Sequence, residues 1–246
     1  LSLFQEKKYF FHNIVKNFIK ERRDIVDKHN KIIATNINVY RAGIRPQYIK
    51  NKDKFLINVR LKFPELDYKY IKKKLNQNKF FYLGKKRLTE EDKDRLWTLG
   101  LSNKVLDLQT IQTRIYPQKN LFSHIIGQID DDNQGISGIE NFFNDKLSDK
   151  ELINSPLTLT LDTNLQYLIR KELINAQINF DAIGAAALLM NVNNGEILSL
   201  VSMPDYDLNQ RKTISNDVYT NKITHGVYEL GSVFKTFTIA AGLEKK

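Results

Sequence analysis

The segment YELGSVFKTFTIAAGLE, residues 228–244, places a serine three residues before a lysine at the start of an apolar helical run. If the helix begins at Ser232, the side chains of Ser232 and Lys235 lie one turn apart on the same face and can form a hydrogen bond. The spacing of apolar residues in VFKTFTIAAGLEKK predicts a helix that is mostly buried. Ser232 and Lys235 are therefore the candidate catalytic residues.

This pair has the chemistry of an activated nucleophile. A serine hydroxyl attacks poorly until a base takes its proton, and a lysine whose pKa is lowered by burial can be that base. The neighbours Phe234, Phe237 and Ile239 would give Lys235 apolar surroundings. Free amides at the start of the helix, including that of Ser232, would stabilise an oxyanion on the attacked carbonyl.

The tetrapeptide alone does not decide between catalysis and structure. About one Ser-x-x-Lys is expected by chance in a chain of this length. Gly231-Ser232 is also an ordinary helix start, and the Lys235 side chain could reach solvent along an apolar surface. The rest of the chain has to decide.

Upstream of this segment the sequence predicts a strand, a helix and a hairpin. LTLTLD, residues 157–162, alternates as a strand does, and the apolar residues after it recur at helical spacing behind a cap at Asp162 or Thr163. IGAAALLMNV and GEILSLVSM then flank Asn193-Asn194-Gly195, which is the composition of a primed hairpin turn. Both strands of this hairpin are expected to be buried.

The first half of the chain mixes short strands and helices. DIVDKHNKIIAT, residues 24–35, predicts a hairpin with Asn30 in the left-handed conformation. A capped helix is predicted from Thr89 to about Gly100, a strand over Leu108–Tyr116 and a short helix over Ile139–Leu147.

Taken in order, these segments resemble class B penicillin-binding proteins. The Ser-x-x-Lys segment is similar to the Tyr-Glu-Pro-Gly-Ser-x-x-Lys motif of that family, and four further segments agree with the family in their order along the chain. They are ERRDIVDKHNKIIATN at 21–36; Arg114-Ile115-Tyr116-Pro117 followed by His124, Gly127 and Gly138-Ile139-Glu140; LTLTLDTNLQ at 157–166; and GAAALLMNVNNGEILSLVSMPDYDLN at 184–209, which ends in Pro-x-x-Asp-x-Asn.

Three departures from the family pattern stand out. Leu230 replaces the proline before Gly231-Ser232, Arg23 stands where a glycine is usual, and Lys28-His29-Asn30 stands for Arg-Asn-Gly. The last two bear on the geometry of the first hairpin.

The resemblance implies an α+β fold, with an elongated pedestal (dimerisation-type) domain over residues 1–154. The start of a transpeptidase domain, of the serine β-lactamase-like α/β type, would occupy residues 155–246. It also implies that Ser232 attacks the penultimate D-Ala carbonyl of a peptidoglycan stem peptide, with Lys235 as base, and that β-lactams acylate the same serine. No cofactor or metal is implied.

The same resemblance implies partners among the membrane proteins of the divisome or the elongasome. It implies that the complete protein has a membrane anchor, and that it is an inner-membrane protein with its body in the periplasm. The compact pedestal favours a division-type enzyme.

Family members complete their active site with a Ser-x-Asn motif and a Lys-Thr-Gly strand downstream of the serine. Neither occurs downstream of Ser232 here, and Lys212-Thr213, which is upstream, is followed by Ile214. We therefore expect no transpeptidation by these 246 residues alone, and an unstable or partly folded second domain. The helix after Ser232 would be uncovered and the hairpin over Gly184–Met203 would have a bare edge.

Composition excludes some other classes. The net charge is +10, but 30 of the basic and 19 of the acidic residues lie in residues 1–154, and no nucleic-acid motif accompanies them, so a lysine-rich solvated surface accounts for the charge. Cysteine is absent, which excludes disulfides and thiolate metal sites. The apolar run Ile183–Met190 is too short to cross a bilayer. His124 and His225 have no partner at metal-ligand spacing, so structural roles are expected for them.

Two other readings stay open at this point. The basic pedestal could act as a non-catalytic interaction module that docks membrane partners. A β-lactam sensor or a serine β-lactamase would share the Ser-x-x-Lys logic, but such proteins generally lack the pedestal motifs that this chain carries between residues 21 and 140.

Overall fold

A computed structural model of the chain describes residues 21–84, 87–210 and 215–245, which form two compact units. Among these described residues, the first unit comprises 21–24, 34–84, 87–115 and Asp145–Pro156, and the second comprises Ile25–Ile33, Tyr116–Asn144, 157–210 and 215–245. The chain passes between the units several times. The division into domains at 154/155 stays a prediction, because spatial compactness does not fix a boundary along the chain. The opening segment 1–20 and Lys212-Thr213 lie outside the described residues.

Strands and helices are interspersed along the chain. In order they are β1 (Ile25–Val26), β2 (Ile32–Ile44), α1 (Lys52–Lys62), α2 (Tyr68–Asn76), β3 (Phe81–Tyr82), α3 (Glu90–Trp97), β4 (Leu106–Ile115), α4 (Ser123–Ile126), α5 (Gly138–Phe142), α6 (Asn144–Ser148), β5 (Leu157–Thr158), α7 (Thr163–Phe180), β6 (Ala185–Met190), β7 (Ile197–Met203), α8 (Asn216–Tyr219) and α9 (Lys235–Glu244), with 3₁₀ turns at Pro46–Tyr48 and Gly231–Phe234. The fold is mixed α and β, as predicted. The one helix expected over Ile139–Leu147 is two short helices, α5 and α6.

The first unit is built on a long antiparallel pair. β2 and β4 pair from Thr35↔Ile115 to Ile44↔Leu106, and β3 joins β2 at Gly43↔Tyr82. The strand predicted over Leu108–Tyr116 is confirmed as β4. Helices α1, α2 and α3 contribute apolar residues to one core that they share with this sheet.

Polar side chains fix where these helices begin. Asn51 Oδ1 accepts a hydrogen bond from the Lys54 N–H at 2.9 Å at the start of α1. At the start of α3 the Thr89 hydroxyl and the Asp92 carboxylate each accept from the other residue's backbone N–H, which is a capping box. The cap predicted at Thr89 is therefore confirmed.

The core of the first unit is apolar and continuous. Its members come from the sheet, from α1, α2 and α3, and from the loops next to them: Tyr40, Ala42, Ile44, Phe55, Leu56, Val59, Phe63, Ile71, Leu75, Phe81, Leu83, Leu88, Leu96 and Leu106. Burial on this scale stabilises the unit by about 25 cal/mol for each Å² of apolar surface. The first unit therefore has a core of its own.

Buried arginines organise the polar part of the first unit. Arg23 donates from Nε to the Ser155 carbonyl at 2.6 Å, from Nη1 to Lys146 at 3.2 Å and from Nη2 to Pro156 at 3.1 Å. Arg114 Nη1 in turn donates to the Arg23 carbonyl at 2.7 Å. The arginine that replaces the family's glycine thus uses its guanidinium to satisfy three carbonyls of the segment around 146–156.

The second unit contains the predicted hairpin around Asn30. Asn30 has φ of 63°, and the Asp27 N–H donates to the Lys31 carbonyl at 3.0 Å. β1 pairs in parallel with β5 through Ile25↔Leu157. β5 is shorter than the strand predicted over 157–162, because the chain turns toward β7, where the Asp162 N–H donates to the Leu198 carbonyl at 2.9 Å.

The predicted hairpin of β6 and β7 forms, but two of its features differ from the prediction. The strands pair from Ala185↔Met203 to Met190↔Ile197. Their connection is longer than a two-residue primed turn, since the Asn191 N–H bonds the Glu196 carbonyl at 2.9 Å and Gly195 takes φ of 76°. β7 is mostly buried, but β6 is mostly exposed, because among the described residues it pairs only with β7.

Candidate active-site segment and its supporting polar core

Ser232 lies in a 3₁₀ turn that leads directly into α9. The turn spans Gly231–Phe234, and the Lys235 N–H donates to the Ser232 carbonyl. In a 3₁₀ helix the side chains of residues i and i+3 eclipse one another. The α-helix thus begins at Lys235, and the condition that it begins at Ser232 is not met, but Ser232 and Lys235 still lie on one side of the turn.

The burial expected around this pair is absent from the described residues. No side chain of the turn or of α9 is buried, and Phe237, Ile239 and Leu243 are each more than 60% exposed. The prediction of a mostly buried helix is therefore wrong for this structure. The companion expectation, that the helix would be uncovered, is confirmed.

Exposure has a chemical consequence for Lys235. A lysine becomes a base at neutral pH when a low-dielectric environment disfavours its charged form. The described residues supply no such environment, and none of them forms a hydrogen bond with the Ser232 hydroxyl or the Lys235 amine. The turn sets the spacing of the pair, but no described residue buries Lys235.

Helix α7 is anchored by polar contacts that sequence reasoning missed. Gln166 is 1% exposed, and its Nε2 donates to the Leu121 and Leu200 carbonyls at 2.9 and 2.7 Å. Its Oε1 accepts from the Ser199 hydroxyl at 2.7 Å and from the Leu200 N–H at 3.0 Å. All four hydrogen-bonding positions of the amide are used. The apolar stripe predicted for this helix is only half-buried, and its Leu168 is 53% exposed.

The start of α7 is tied to the first hairpin by Asp27. This buried carboxylate accepts from the Thr163 hydroxyl at 2.5 Å, from the Thr163 N–H at 3.1 Å and from the N–H groups of His29 and Lys31 at 2.8 and 2.9 Å. Burial disfavours its charge, but these hydrogen bonds outweigh burial and hold the pKa of Asp27 below its usual value.

Asp162 caps α7 and receives the two side chains that replace the family's Arg-Asn. Its Oδ1 accepts from the Asn164 and Leu165 N–H groups at 2.9 and 3.2 Å, which confirms the predicted cap. Lys28 Nζ and His29 Nε2 both lie 3.2 Å from its Oδ2. Burial opposes ionisation, but the backbone donors and these two side chains lower the pKa of Asp162 to about 2.

The Pro-x-x-Asp-x-Asn segment binds the residue that follows Arg114-Ile115. Asn209 Oδ1 accepts from the Tyr116 N–H and Asn209 Nδ2 donates to the Tyr116 carbonyl, each at 2.9 Å. Asp207 Oδ1 accepts from the Asn209 N–H at 2.9 Å and so orients it. Two motifs 93 residues apart are thus one structural clamp.

The glycines of the pedestal motifs allow close backbone contact at the corner of α4 and α5. Gly127 has φ of 72°, and a Cβ there would lie 2.1 Å from the Ser137 carbonyl oxygen. A Cβ on Gly138 would lie 2.5 Å from the Ile125 carbonyl oxygen. Glu140 is fully buried in the first turn of α5.

The two histidines have structural surroundings. His124 Nε2 lies 2.8 Å from the Val218 carbonyl, its ring packs edge-on against Tyr206, and burial lowers its pKa although the Val218 contact opposes this. His225 Nδ1 lies 2.8 Å from the Thr224 hydroxyl. No group of side chains in the described part of the chain could hold a metal ion. Searching those same residues for a helix with the length and apolar character of a membrane span finds none.

Comparisons with known proteins agree with this arrangement. The family model described as the penicillin-binding protein dimerisation domain matches residues 20–154, and the penicillin-binding protein transpeptidase domain matches residues 185–246. A probable peptidoglycan D,D-transpeptidase FtsI of Caulobacter vibrioides is 32% identical over 91% of this chain and 38% of its own length. Stage V sporulation protein D of Bacillus subtilis is 29% identical over 93% of this chain and 39% of its own length.

Solved structures show the same fold. PBP2 in its complex with MreC from Helicobacter pylori matches with a TM-score of 0.68 at 22% identity, over 93% of this chain and 52% of that one. The chain belongs to the class B penicillin-binding proteins. It spans about two fifths of the length of the FtsI and sporulation relatives.

Proposed function

We propose that this chain carries the acylated serine of a peptidoglycan D,D-transpeptidase, with Ser232 as nucleophile and Lys235 as base. The observation that carries the proposal is the 3₁₀ turn, which brings the two side chains to one side immediately before α9. The Ser-x-x-Lys spacing in this position of a class B chain supports the same roles.

The proposed chemistry is acyl transfer in two steps. The Ser232 oxygen attacks the carbonyl of the penultimate D-Ala while its proton passes to the Lys235 amine. The C–N bond to the terminal D-Ala then breaks, and the departing amine takes that proton. The amine of a second stem peptide attacks the resulting ester, forms the cross-link and returns the proton to Ser232. A β-lactam would acylate Ser232 by the first step, with its ring C–N bond breaking.

Turnover needs more than this pair. Loss of one oxyanion donor alone slows acyl transfer by about 100- to 1,000-fold. Ser-x-Asn and Lys-Thr-Gly motifs do not follow Ser232 in these 246 residues, and α9 is exposed. We therefore expect no turnover of a D-Ala-D-Ala peptide by this chain alone.

The test is covalent labelling of the 246-residue chain by a fluorescent penicillin, read on a denaturing gel. We expect a weak, slowly formed band that Ser232→Ala abolishes and that Lys235→Ala reduces. Ser215→Ala is the matched control, because Ser215 is exposed and its side chain makes no cap hydrogen bond. A band that survives Ser232→Ala, or no band at all after long incubation, would overturn the assignment of acylation to this serine in this chain.

We also propose that the complete protein acts at the inner membrane with its body in the periplasm, in a division-type complex. The identity to two proteins named FtsI, at 32% and 29%, supports this type. The structural neighbour solved with MreC supports a protein partner in general. Copurification of an MreC-like protein with the chain would favour the elongation type instead.

A non-catalytic interaction module is the second candidate. The first unit has its own apolar core, whereas the segment with Ser232 has no buried side chain, and this favours a docking role over catalysis for the chain alone. If this is correct, the chain should show no labelling that depends on Ser232, and Ser232→Ala should leave partner binding unchanged. A β-lactam sensor has less support, because the dimerisation-domain model matches the pedestal over residues 20–154.

A further inference from the structure

The positive charge of the chain is concentrated in one segment of the first unit. Residues 50–87 contain 13 Lys and Arg against three Asp and Glu, so they carry a net +10, and the other 208 residues hold 25 of each sign and carry none. The whole net charge of the protein therefore resides in the stretch of sequence that contains α1, α2 and β3, of which Lys85 and Lys86 lie outside the described residues. We call this the basic segment.

The helices present this charge away from the core. α2 buries Ile71 and Leu75, so Lys69, Lys72 and Lys73, at spacings of three and four, lie on its opposite, exposed face. These lysines and the amides of Asn76 and Gln77 line a shallow depression of about 500 Å³. No described carboxylate lies within ion-pair distance of the three ammonium groups.

Exposed apolar side chains lie among the basic ones. Ile57 and Leu61, one turn apart on α1, are 57% and 73% exposed, and Phe80 is 44% exposed. The Arg60 guanidinium lies over the Tyr68 ring, 5.2 Å from its centroid, and the Lys74 ammonium lies 5.6 Å from the Tyr70 centroid. Basic groups interspersed with aliphatic and aromatic groups are the composition of an interfacial membrane surface.

The proportion of lysine to arginine in the basic segment helps to decide whether its partner is an anionic lipid surface or an acidic protein. Eleven of the 13 basic residues are lysine and two are arginine. Protein interfaces are enriched in arginine, which pairs bidentately with carboxylates, and are depleted of lysine. A lysine is a compact point charge that suits a diffuse negative surface, and anionic lipid attracts each such group additively. The composition thus favours a lipid surface over an acidic protein.

From these observations we infer that the basic segment docks on the surface of a bilayer that contains anionic phospholipid. Ile57, Leu61 and Phe80 would enter the headgroup region, and the exposed lysines would lie over the phosphates. The inference is independent of the chemistry proposed for Ser232, since the basic segment lies in the first unit and contains no residue of that pair.

The experiment is sedimentation of the full 246-residue chain with vesicles of phosphatidylcholine, with and without phosphatidylglycerol. We expect binding only when phosphatidylglycerol is present, and its loss at high salt. Each lysine near an anionic bilayer strengthens binding by about fivefold, so replacing Lys69, Lys72 and Lys73 with Gln should weaken binding about 100-fold. Replacement of the same three with Glu should weaken it further.

The matched control replaces three exposed lysines outside the basic segment, Lys104, Lys150 and Lys171, with Glu. Both Glu triples lower the net charge from +10 to +4, so the control separates the basic segment from net charge. Circular dichroism establishes that each variant keeps its fold. Equal losses in the two triples, or binding to phosphatidylcholine alone, would overturn the inference. Retention on immobilised polyglutamate without vesicle binding would overturn it in favour of an acidic protein.

Discussion

Helices α7 and α9 of the second unit both carry family motifs, and the structure supports them very differently. α7 begins at a cap on Asp162, and its Gln166 is fully hydrogen-bonded in the core. α9 follows a 3₁₀ turn, has no side-chain cap and buries no residue. The motif on α7 is held in place by hydrogen bonds with other described residues. The motif on α9 carries Ser232 and Lys235 at the family's spacing, but no residue of that helix is buried.

The difference separates two kinds of motif that look alike in a sequence. The Gly127 and Gly138 corner and the Asn209 clamp belong with α7, because each makes backbone contacts that no other residue type could make in the same way. Ser232 and Lys235 make no comparable contact with the described residues. Substitutions at the first kind of position should change stability, and those at the second kind should change only reactivity.

The largest loss of stability is expected for Gly127→Ala. The new Cβ would overlap the Ser137 carbonyl oxygen, and φ of 72° with ψ of −157° is a conformation that only glycine adopts readily. The free energy of unfolding, measured in urea, should fall by about 3 to 5 kcal/mol. Gly195→Ala is the control, since Gly195 also has positive φ but has nothing within 4 Å of its added Cβ, and it should lose only about 1 to 2 kcal/mol. Equal losses would show that the corner is loosely packed.

A somewhat smaller loss is expected for Gln166→Ala. The change would leave two carbonyls, a hydroxyl and an N–H of Leu121, Ser199 and Leu200 without their partner, at a cost of about 2 to 4 kcal/mol. Hydrogen exchange of the β7 amides should accelerate by one to three orders of magnitude. Gln177→Ala, on the same helix but partly exposed, should leave these rates nearly unchanged. Unchanged exchange in both variants would contradict the role given to Gln166.

Acid should reveal the contribution of Asp162. Its folded pKa of about 2 is below its ordinary value of 3.8, so the stabilisation is complete above about pH 5 and is lost as the pH falls through the folded pKa. Solvent screens the contacts of Asp162 with Lys28 and His29, so the contribution of Asp162 to the free energy of unfolding is about 1 to 2 kcal/mol. Asp162→Asn should flatten the acid limb of stability against pH, whereas Asp181→Asn, at an exposed left-handed position, should not. An identical acid limb in all three proteins would refute this assignment.

Local sequence signals predicted much of the fold. The Thr89 capping box, the left-handed Asn30, the Asp162 cap and the pairing of β6 with β7 all depend on residues close together in the chain, and all are confirmed. Short-range chemistry of this kind is largely independent of the rest of the fold.

Contacts between distant segments were not predictable from such signals. The bonds of Arg23 to carbonyls 123 to 133 residues away, and the four bonds of Gln166, depend on which segments meet in space. The apolar pattern of α9 was misleading for the same reason. Periodicity shows that a face is suited to burial, but it does not show whether anything covers it.

The smallest effect is expected for Phe237→Ala on α9. Its side chain is 64% exposed, so its removal should change the free energy of unfolding by less than about 0.5 kcal/mol. The same change at Phe122, which is 1% exposed in the same unit, should cost about 3 to 5 kcal/mol. Urea unfolding of both variants, at low and high protein concentration, measures this directly. If Phe237→Ala proved costly, and more so at high concentration, α9 would be covered by a second copy in solution. Lys235 would then have the apolar surroundings that a base requires. The difference between the two helices would be that α7 is supported by its own chain and α9 by a second copy.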